Sequence, residues 1–318
     1  MLTPKSLSRR KYLESLGWLA TGIVLNPTSN VLSANNSFQK HFIDSHVHVW
    51  TADLHRYPIH ERFKPEEMQP KYFTAEELFS HFKLNGVGRT VLIQMSYYQF
   101  NNNYMLDTIA RFPGVFSGVA VVNENALRLA QTMQSLATAG IRGFRISPGL
   151  QNLDTWINSS GMNSLWRFAG EKNLAICPLI NIQALSYVEK MSKKNLHTSV
   201  VIDHCARIGS NGIIRKQDID SLCRLAAYPN LYVKISAFHG LGKKQIPYTD
   251  LAQMIQQLRD SFGAERLMWG SDAPYQIGSG HSYKASITLI RDKLDFLTPS
   301  ERQNILIHTA EKVFFSRI

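Results

Sequence analysis

The chain has 318 residues, of which 44% are hydrophobic and 10% aromatic. This length and composition are ordinary for one large globular domain and argue against a disordered or repetitive chain. The formal net charge is +11, but the Lys and Arg residues are scattered and lack interleaved aromatic residues, which argues against nucleic-acid binding. Three cysteines at irregular spacing are too few for a disulfide framework or a zinc ribbon.

The N-terminal segment has the pattern of an export signal. A basic run that contains Arg9 and Arg10 precedes a weakly apolar stretch, residues 16–25, which is too short to span a bilayer as a stable helix. The paired arginines resemble bacterial twin-arginine signals. We therefore expect a signal peptide over residues 1–34, export to the periplasm or beyond through the twin-arginine machinery, and one catalytic domain over residues 35–318. The alternative is a basic N-terminal helix on a cytoplasmic protein.

Apolar runs rich in β-forming residues alternate along the chain with segments of helical pattern. The predicted strands cover residues 41–50, 90–95, 116–122, 141–146, 175–181, 199–204, 231–236 and 267–271. The predicted helices cover residues 78–85, 102–112, 126–139, 164–172, 183–193, 216–227, 249–262 and 281–293. A Thr-x-x-Glu capping box at Thr74 opens the first helix.

The continuous hydrophobicity of these strands predicts a parallel sheet covered by helices, in the α/β class. A count of eight favours a (β/α)8 TIM barrel. A doubly wound sheet would need a glycine-rich turn after the first strand, where the chain instead has a histidine-rich one.

Two histidines, His46 and His48, stand near the end of the first predicted strand. Residues i and i+2 of a strand share one face, so the two imidazoles can converge on one point and form half of a metal site. Active sites of TIM barrels form at the carboxyl ends of the strands, so polar residues that end other strands become candidates. These are Arg145 on the fourth strand, His204 on the sixth, Lys234 or Ser236 on the seventh and Asp272 on the eighth.

Substrate-binding candidates surround this predicted cluster. Arg145 is suited to hold a carboxylate through two hydrogen bonds, whereas Arg142 should face the other side of the same strand. Aromatic and amide groups at the mouth suit a polar ring, whether a sugar lactone or a planar acid. The further candidates for holding substrate are Trp50, Gln94, Lys234 and Tyr275.

Several motifs in order along the chain together resemble the amidohydrolase superfamily, and more closely its branch of sugar-lactone and 2-pyrone-4,6-dicarboxylate lactonases. The matching motifs are IDSHVHVW from residue 43, GIRGFR from 140, VIDH from 201, VKIS from 233, WGSDAP from 269 and TAEKVFF from 309. The likeness covers about residues 41 to 318. Carried over residue by residue, it implies one divalent metal, with zinc the first choice, bound by His46, His48, His204 and Asp272.

One departure bears on the metal content. Many two-metal members have a carboxylated lysine or a glutamate on the fourth strand and a histidine on the fifth, where this chain has Arg145 and Asn181. The resemblance therefore implies either a single metal or metal-free catalysis, as in the pyrone lactonases.

The predicted reaction is hydrolysis of a lactone or similar cyclic ester. Asp272 would accept a proton from water, and His204 or a metal would stabilise the oxyanion that forms. One alternative is one-metal nonoxidative decarboxylation of an aromatic or unsaturated acid. A second is a noncatalytic carbohydrate-binding barrel. The expected partner is a small molecule, with no nucleic acid and no stable membrane span.

Overall fold

The structure is a computed structural model that describes residues 41–148 and 153–316. The predicted signal peptide lies outside these residues. Eight parallel strands follow one another in sequence order around the sheet, which confirms the predicted (β/α)8 TIM barrel. The strands are β1 Phe42–Val47, β2 Val87–Ile93, β3 Phe116–Ala120, β4 Ile141–Ile146, β5 Ala175–Pro178, β6 Val200–Ile202, β7 Leu231–Ser236 and β8 Leu267–Gly270.

The helices lie between and after the strands. They are α1 Ala75–Phe82, α2 Asn103–Arg111, α3 Leu129–Thr138, α4 Leu153–Asn158, α5 Ser160–Glu171, α6 Leu185–Lys194, α7 Lys216–Arg224, α8 Ala252–Phe262, α9 Tyr283–Thr288, α10 Pro299–Gln303 and α11 Thr309–Phe314. Thr74 and Glu77 form the predicted capping box at the start of α1. Across the described part of the chain, every helix is too short or too polar to cross a membrane.

Differences from the sequence prediction fall mainly at strand ends and in short helices. β1 ends at Val47 and β6 at Ile202, so His48 and His204 lie beyond the strands to which they were assigned. The helices α4, α10 and α11 were not predicted. A second capping box, formed by Thr298 and Glu301, starts α10 and is the sequence signal that could have located it.

The barrel is closed by hydrogen bonds between β1 and the segment that follows β8. The Asp272 amide donates to the His46 carbonyl at 2.8 Å, and the His48 amide donates to the Ala273 carbonyl at 2.8 Å. We call this junction between β1 and the segment after β8 the β1–β8 seam. The buried Asp44 carboxylate strengthens it because Oδ1 of Asp44 accepts from the amides of His46 at 3.0 Å and Ser271 at 2.8 Å. Burial raises the pKa of Asp44 to about 6. One seam thus fixes the backbone of both His46 and Asp272.

We expect Gly270→Ala to disrupt this seam. A Cβ atom at residue 270 would lie 2.7 Å from Cβ of His46, so either strand must shift. Overpacking of this kind costs about 1–3 kcal/mol in the free energy of unfolding, which urea denaturation measures. The control is Gly240→Ala, whose new Cβ meets no described atom within 4 Å, and it should stay within about 0.5 kcal/mol of wild type. Equal stabilities of the two variants would contradict the close approach.

Candidate active site

Asp272 lies at the centre of the candidate site, directly after the end of β8. Its Oδ1 atom is 3.3 Å from Nε2 of His48, 3.5 Å from Nε2 of His46 and 4.0 Å from Nε2 of His204. Burial opposes ionisation of this carboxyl, but the surrounding imidazoles, His204 foremost, hold the pKa of Asp272 well below its usual range. The side chain is therefore a carboxylate at neutral pH and can accept a proton.

His48 has a defined tautomer. Its Nδ1 atom lies 2.9 Å from the carbonyl oxygen of Ile93, an acceptor, so Nδ1 must carry the proton and donate. The Nε2 atom faces the carboxylate oxygen of Asp272 at 3.3 Å. Because a carboxylate oxygen only accepts, this contact requires a proton or a cation between the two atoms.

His204 is presented by a strained turn. Four consecutive residues, His204 to Arg207, have φ between 49° and 57°, the left-handed region that costs roughly 1–2 kcal/mol for each non-glycine residue. The turn is held by His204 Nδ1, which pairs with Ser236 Oγ at 2.8 Å, and by the Cys205 thiol, which donates to the Lys234 carbonyl at 3.6 Å. Such backbone strain persists only where surrounding contacts enforce it. Here the strained turn directs Nε2 of His204 towards Asp272.

A second carboxylate, Asp203, lies beneath the site and was not singled out from the sequence. It is fully buried, with Oδ2 at 2.9 Å from Nη2 of Arg145 and Oδ1 at 3.1 Å from Nζ of Lys234 and 3.4 Å from Nδ1 of His46. Burial alone would raise the pKa of Asp203, but the adjacent cations, Lys234 foremost, keep it well below its usual range. The signal that could have located it is a charged residue directly after the apolar β6.

The five predicted substrate-binding residues lie at different depths. Arg145, Gln94 and Tyr275 line the cavity above Asp272, although the Gln94 amide donates to the carbonyls of Gln99 and Asn101. Trp50 does not line this cavity. It is fully buried, donates to the Pro70 carbonyl and packs behind Tyr275.

Lys234 also lies away from the cavity lining, because it is fully buried against Asp203 and His46. The structure therefore places Trp50 and Lys234 as supports behind the site. Arg142 donates to the carbonyls of Ala137 and Ile141 and does not line the cavity, in keeping with the prediction that it faces away.

The cavity above Asp272 has a volume of about 590 Å³ and a strongly cationic lining. Its arginines are Arg62, Arg145 and Arg207, whereas Asp272 is its one acidic lining residue among those described. Arg207 was not predicted. It leaves the left-handed turn and donates to Oδ1 of Asn181 at 3.3 Å, so Asn181, which lies just beyond the end of β5, positions an arginine. His239 also lines the cavity, with Nε2 at 3.7 Å from Oδ2 of Asp272.

Comparison with known proteins identifies the family. The family model described as amidohydrolase matches residues 43–315. The chain belongs to the amidohydrolase family. It is 29% identical to an L-fucono-1,5-lactonase of Burkholderia ambifaria, over 83% of this chain and 91% of that protein. It is 25% identical to a 2-pyrone-4,6-dicarboxylate hydrolase of Comamonas testosteroni, over 73% of this chain and 76% of that protein.

Solved structures show the same amidohydrolase fold. An amidohydrolase of Burkholderia multivorans with bound zinc has a TM-score of 0.75 and 19% identity, over 86% of this chain and 99% of that one. A dihydroxybenzoic acid decarboxylase of Polaromonas with bound manganese has a TM-score of 0.58 and 11% identity, over 87% of this chain and 97% of that one. Likeness to either structure extends to the fold alone.

The ligand set fits one metal ion. Ligand atoms of His46, His204 and Asp272 all lie within 4.8 Å of one another, the single such group among the described residues. A divalent ion bound by all three groups would draw these atoms closer together, and two imidazole nitrogens with one carboxylate oxygen are a donor set that such ions accept. His48, the fourth predicted ligand, lies outside this group, although its Nε2 is 3.3 Å from Asp272.

The stability of the protein should depend on pH through His204. Burial lowers the pKa of this imidazole from 6.5 to about 4. Between pH 6.5 and 4 the unfolded chain therefore takes up a proton that the folded chain does not, so stability falls as the pH falls. At 1.36 kcal/mol for each pKa unit, the loss is about 3 kcal/mol.

Comparison with His204→Asn isolates this contribution, because Asp44 acts in the opposite sense in the same pH range. The pKa of Asp44 is raised to about 6, so the folded chain takes up that proton first and gains stability as the pH falls. Urea denaturation at several pH values should show a pH dependence about 3 kcal/mol smaller in the variant. Identical dependence in both proteins would contradict a neutral, buried His204.

Proposed function

We propose that this protein hydrolyses a lactone, with Asp272 as the general base. The observation that carries the proposal is the buried Asp272 carboxyl group, whose oxygens lie within 4.0 Å of four imidazoles at the floor of an arginine-lined cavity. A buried carboxylate that stays charged at neutral pH can accept a proton from a water molecule. Both curated relatives act on lactone or pyrone rings by their names, which supports the same class of reaction here.

Asp272 accepts one proton from water while the water oxygen attacks the carbonyl carbon of the lactone. The resulting tetrahedral oxyanion is stabilised by the positive guanidinium of Arg145, which lines the cavity beside the cluster. When the intermediate collapses, the ring C–O bond breaks and the leaving oxygen takes the proton from Asp272. The product is a hydroxy acid.

A divalent cation, for which we propose zinc, would be held by His46, His204 and Asp272, with His48 adjacent to it. When bound there it would supply a Lewis acid that acidifies water and polarises the carbonyl. The chain's own groups also provide a base and a positive charge without it, so metal-free hydrolysis remains part of the proposal.

The lining of the cavity favours a substrate that bears a carboxylate. Arg62, Arg145 and Arg207 surround a volume of about 590 Å³, enough for a small ring, and arginine binds carboxylates through paired hydrogen bonds. Tyr275, 38% exposed, offers an aromatic face at the same mouth. We therefore propose a sugar-acid lactone or a carboxylated pyrone as the substrate class.

Hydrolysis is favoured over the two alternatives. The decarboxylase shares only the fold with this chain, whereas the lactonase and the pyrone hydrolase match in sequence along most of their length. A noncatalytic carbohydrate-binding barrel would not need an ionised carboxylate buried among imidazoles, since burial of a charge is costly.

We expect Asp272→Asn to abolish lactone hydrolysis, because the amide cannot accept the proton from water. General-base removal typically costs about 10²–10⁴-fold in kcat. The assay follows acid release from a panel of neutral and carboxylate-bearing 1,5-lactones. Asp295→Asn, at an exposed position outside the cavity, is the matched control and should retain wild-type turnover. A fully active Asp272→Asn protein with native circular dichroism would refute the assignment.

The N-terminal segment is the basis of a proposal on location. We propose that residues 1–34 direct twin-arginine export, on the strength of the Arg9-Arg10 pair and the apolar stretch that follows. The variant in which both Arg9 and Arg10 are lysine keeps the charge but lacks the guanidinium groups. It should remain as an uncleaved cytoplasmic precursor, whereas the wild type is cleaved and periplasmic, as cell fractionation measures. Identical fractionation of the two would contradict a twin-arginine signal.

A further inference from the structure

The guanidinium of Arg145 occupies the nitrogen of His46 that a metal would use. Its Nη2 atom lies 2.9 Å from Nε2 of His46 and 2.9 Å from Oδ2 of Asp203. Arginine has donors only, so Nε2 of His46 must be the acceptor and directs its lone pair at the guanidinium. A metal ion bound to His46 through Nε2 would need that same lone pair.

The other side of the His46 ring is consistent with this tautomer. Because Nε2 accepts from Arg145, Nδ1 of a neutral His46 carries the proton, and it lies 3.4 Å from Oδ1 of Asp203 and 3.4 Å from Nζ of Lys234. Asp203 lies beside Nδ1 and, through its second oxygen, anchors the guanidinium that donates to Nε2. The buried Lys234, 3.1 Å from Oδ1, keeps this carboxylate charged.

We propose that Arg145 and a divalent cation compete for Nε2 of His46. In one state the guanidinium occupies this nitrogen and supplies the positive charge of the site. In the other, Arg145 has turned into the cavity that it lines and the cation takes its place. Because metal binding requires the second state, the apparent affinity for metal is lowered by the fraction of molecules in that state.

Zinc affinity tests this competition without reference to catalysis. Titration calorimetry with zinc chloride would compare metal-free wild type with Arg145→Met and Arg207→Met. Each variant loses one arginine from the same cavity, but only Arg145 contacts His46. The Arg207 variant therefore reports the effect of removing one positive charge.

We expect Arg145→Met to bind zinc about tenfold or more tightly than wild type, and Arg207→Met to change the affinity by less than about threefold. A gain in Arg145→Met no larger than that in Arg207→Met, or no binding to any of the three proteins, overturns the competition. Failure of the proposed lactone hydrolysis would leave these affinities unaffected, so the two ideas are tested separately.

Crystals of the wild type provide a test that needs no variant. After a zinc soak, zinc on Nε2 of His46 should coincide with Arg145 turned away. If zinc is bound without His46, Arg145 should still hold that ring. Zinc bound to Nε2 of His46 while Nη2 of Arg145 remains within hydrogen-bond distance of the same atom would overturn the proposal.

Discussion

The Asp272 carboxylate faces His46, His48 and His204 within 4.0 Å, and the surrounding structure is built to tolerate that buried charge. An isolated carboxylate in this position would be expensive to ionise. The imidazoles keep the pKa of Asp272 low, and the arginines of the cavity add a positive field. A strong hydrogen-bond acceptor is thereby held ready for water in a site that is largely shielded from solvent.

Two further buried carboxylates place the groups around Asp272. Asp44 binds the amides on both sides of the β1–β8 seam, and so fixes the backbone that carries His46 and Asp272. Asp203 lies beside the His46 ring and holds Arg145 and Lys234 against that ring. The three carboxylates therefore have separate tasks, namely closing the barrel, holding the groups around His46 and, in the proposed reaction, accepting the proton. Their surroundings, and not their residue type, decide which task each can perform.

The eight strands and the residues at their ends could be predicted because each has a local signal. Continuous apolar runs mark parallel strands, and polar residues that end such runs point to the mouth of a barrel, as for His46 and Asp272. The left-handed turn from His204 to Arg207 could not be predicted, because it contains no glycine and is enforced by distant contacts with β7 and Asn181. The burial of Trp50 and Lys234 behind the cavity could not be predicted from the sequence either, because a side chain's contacts depend on how neighbouring strands pack.

In the proposed reaction water adds to the carbonyl carbon of a lactone, and isotope labelling distinguishes this addition from decarboxylation. The wild-type protein would turn over a carboxylate-bearing 1,5-lactone once in ¹⁸O-labelled water, and mass spectrometry would locate the label. Hydrolysis predicts one ¹⁸O atom in the newly formed carboxylate of the hydroxy acid and no release of carbon dioxide. A substrate that loses carbon dioxide, or a ring opened without incorporation of the label, would rule out lactone hydrolysis by addition of water.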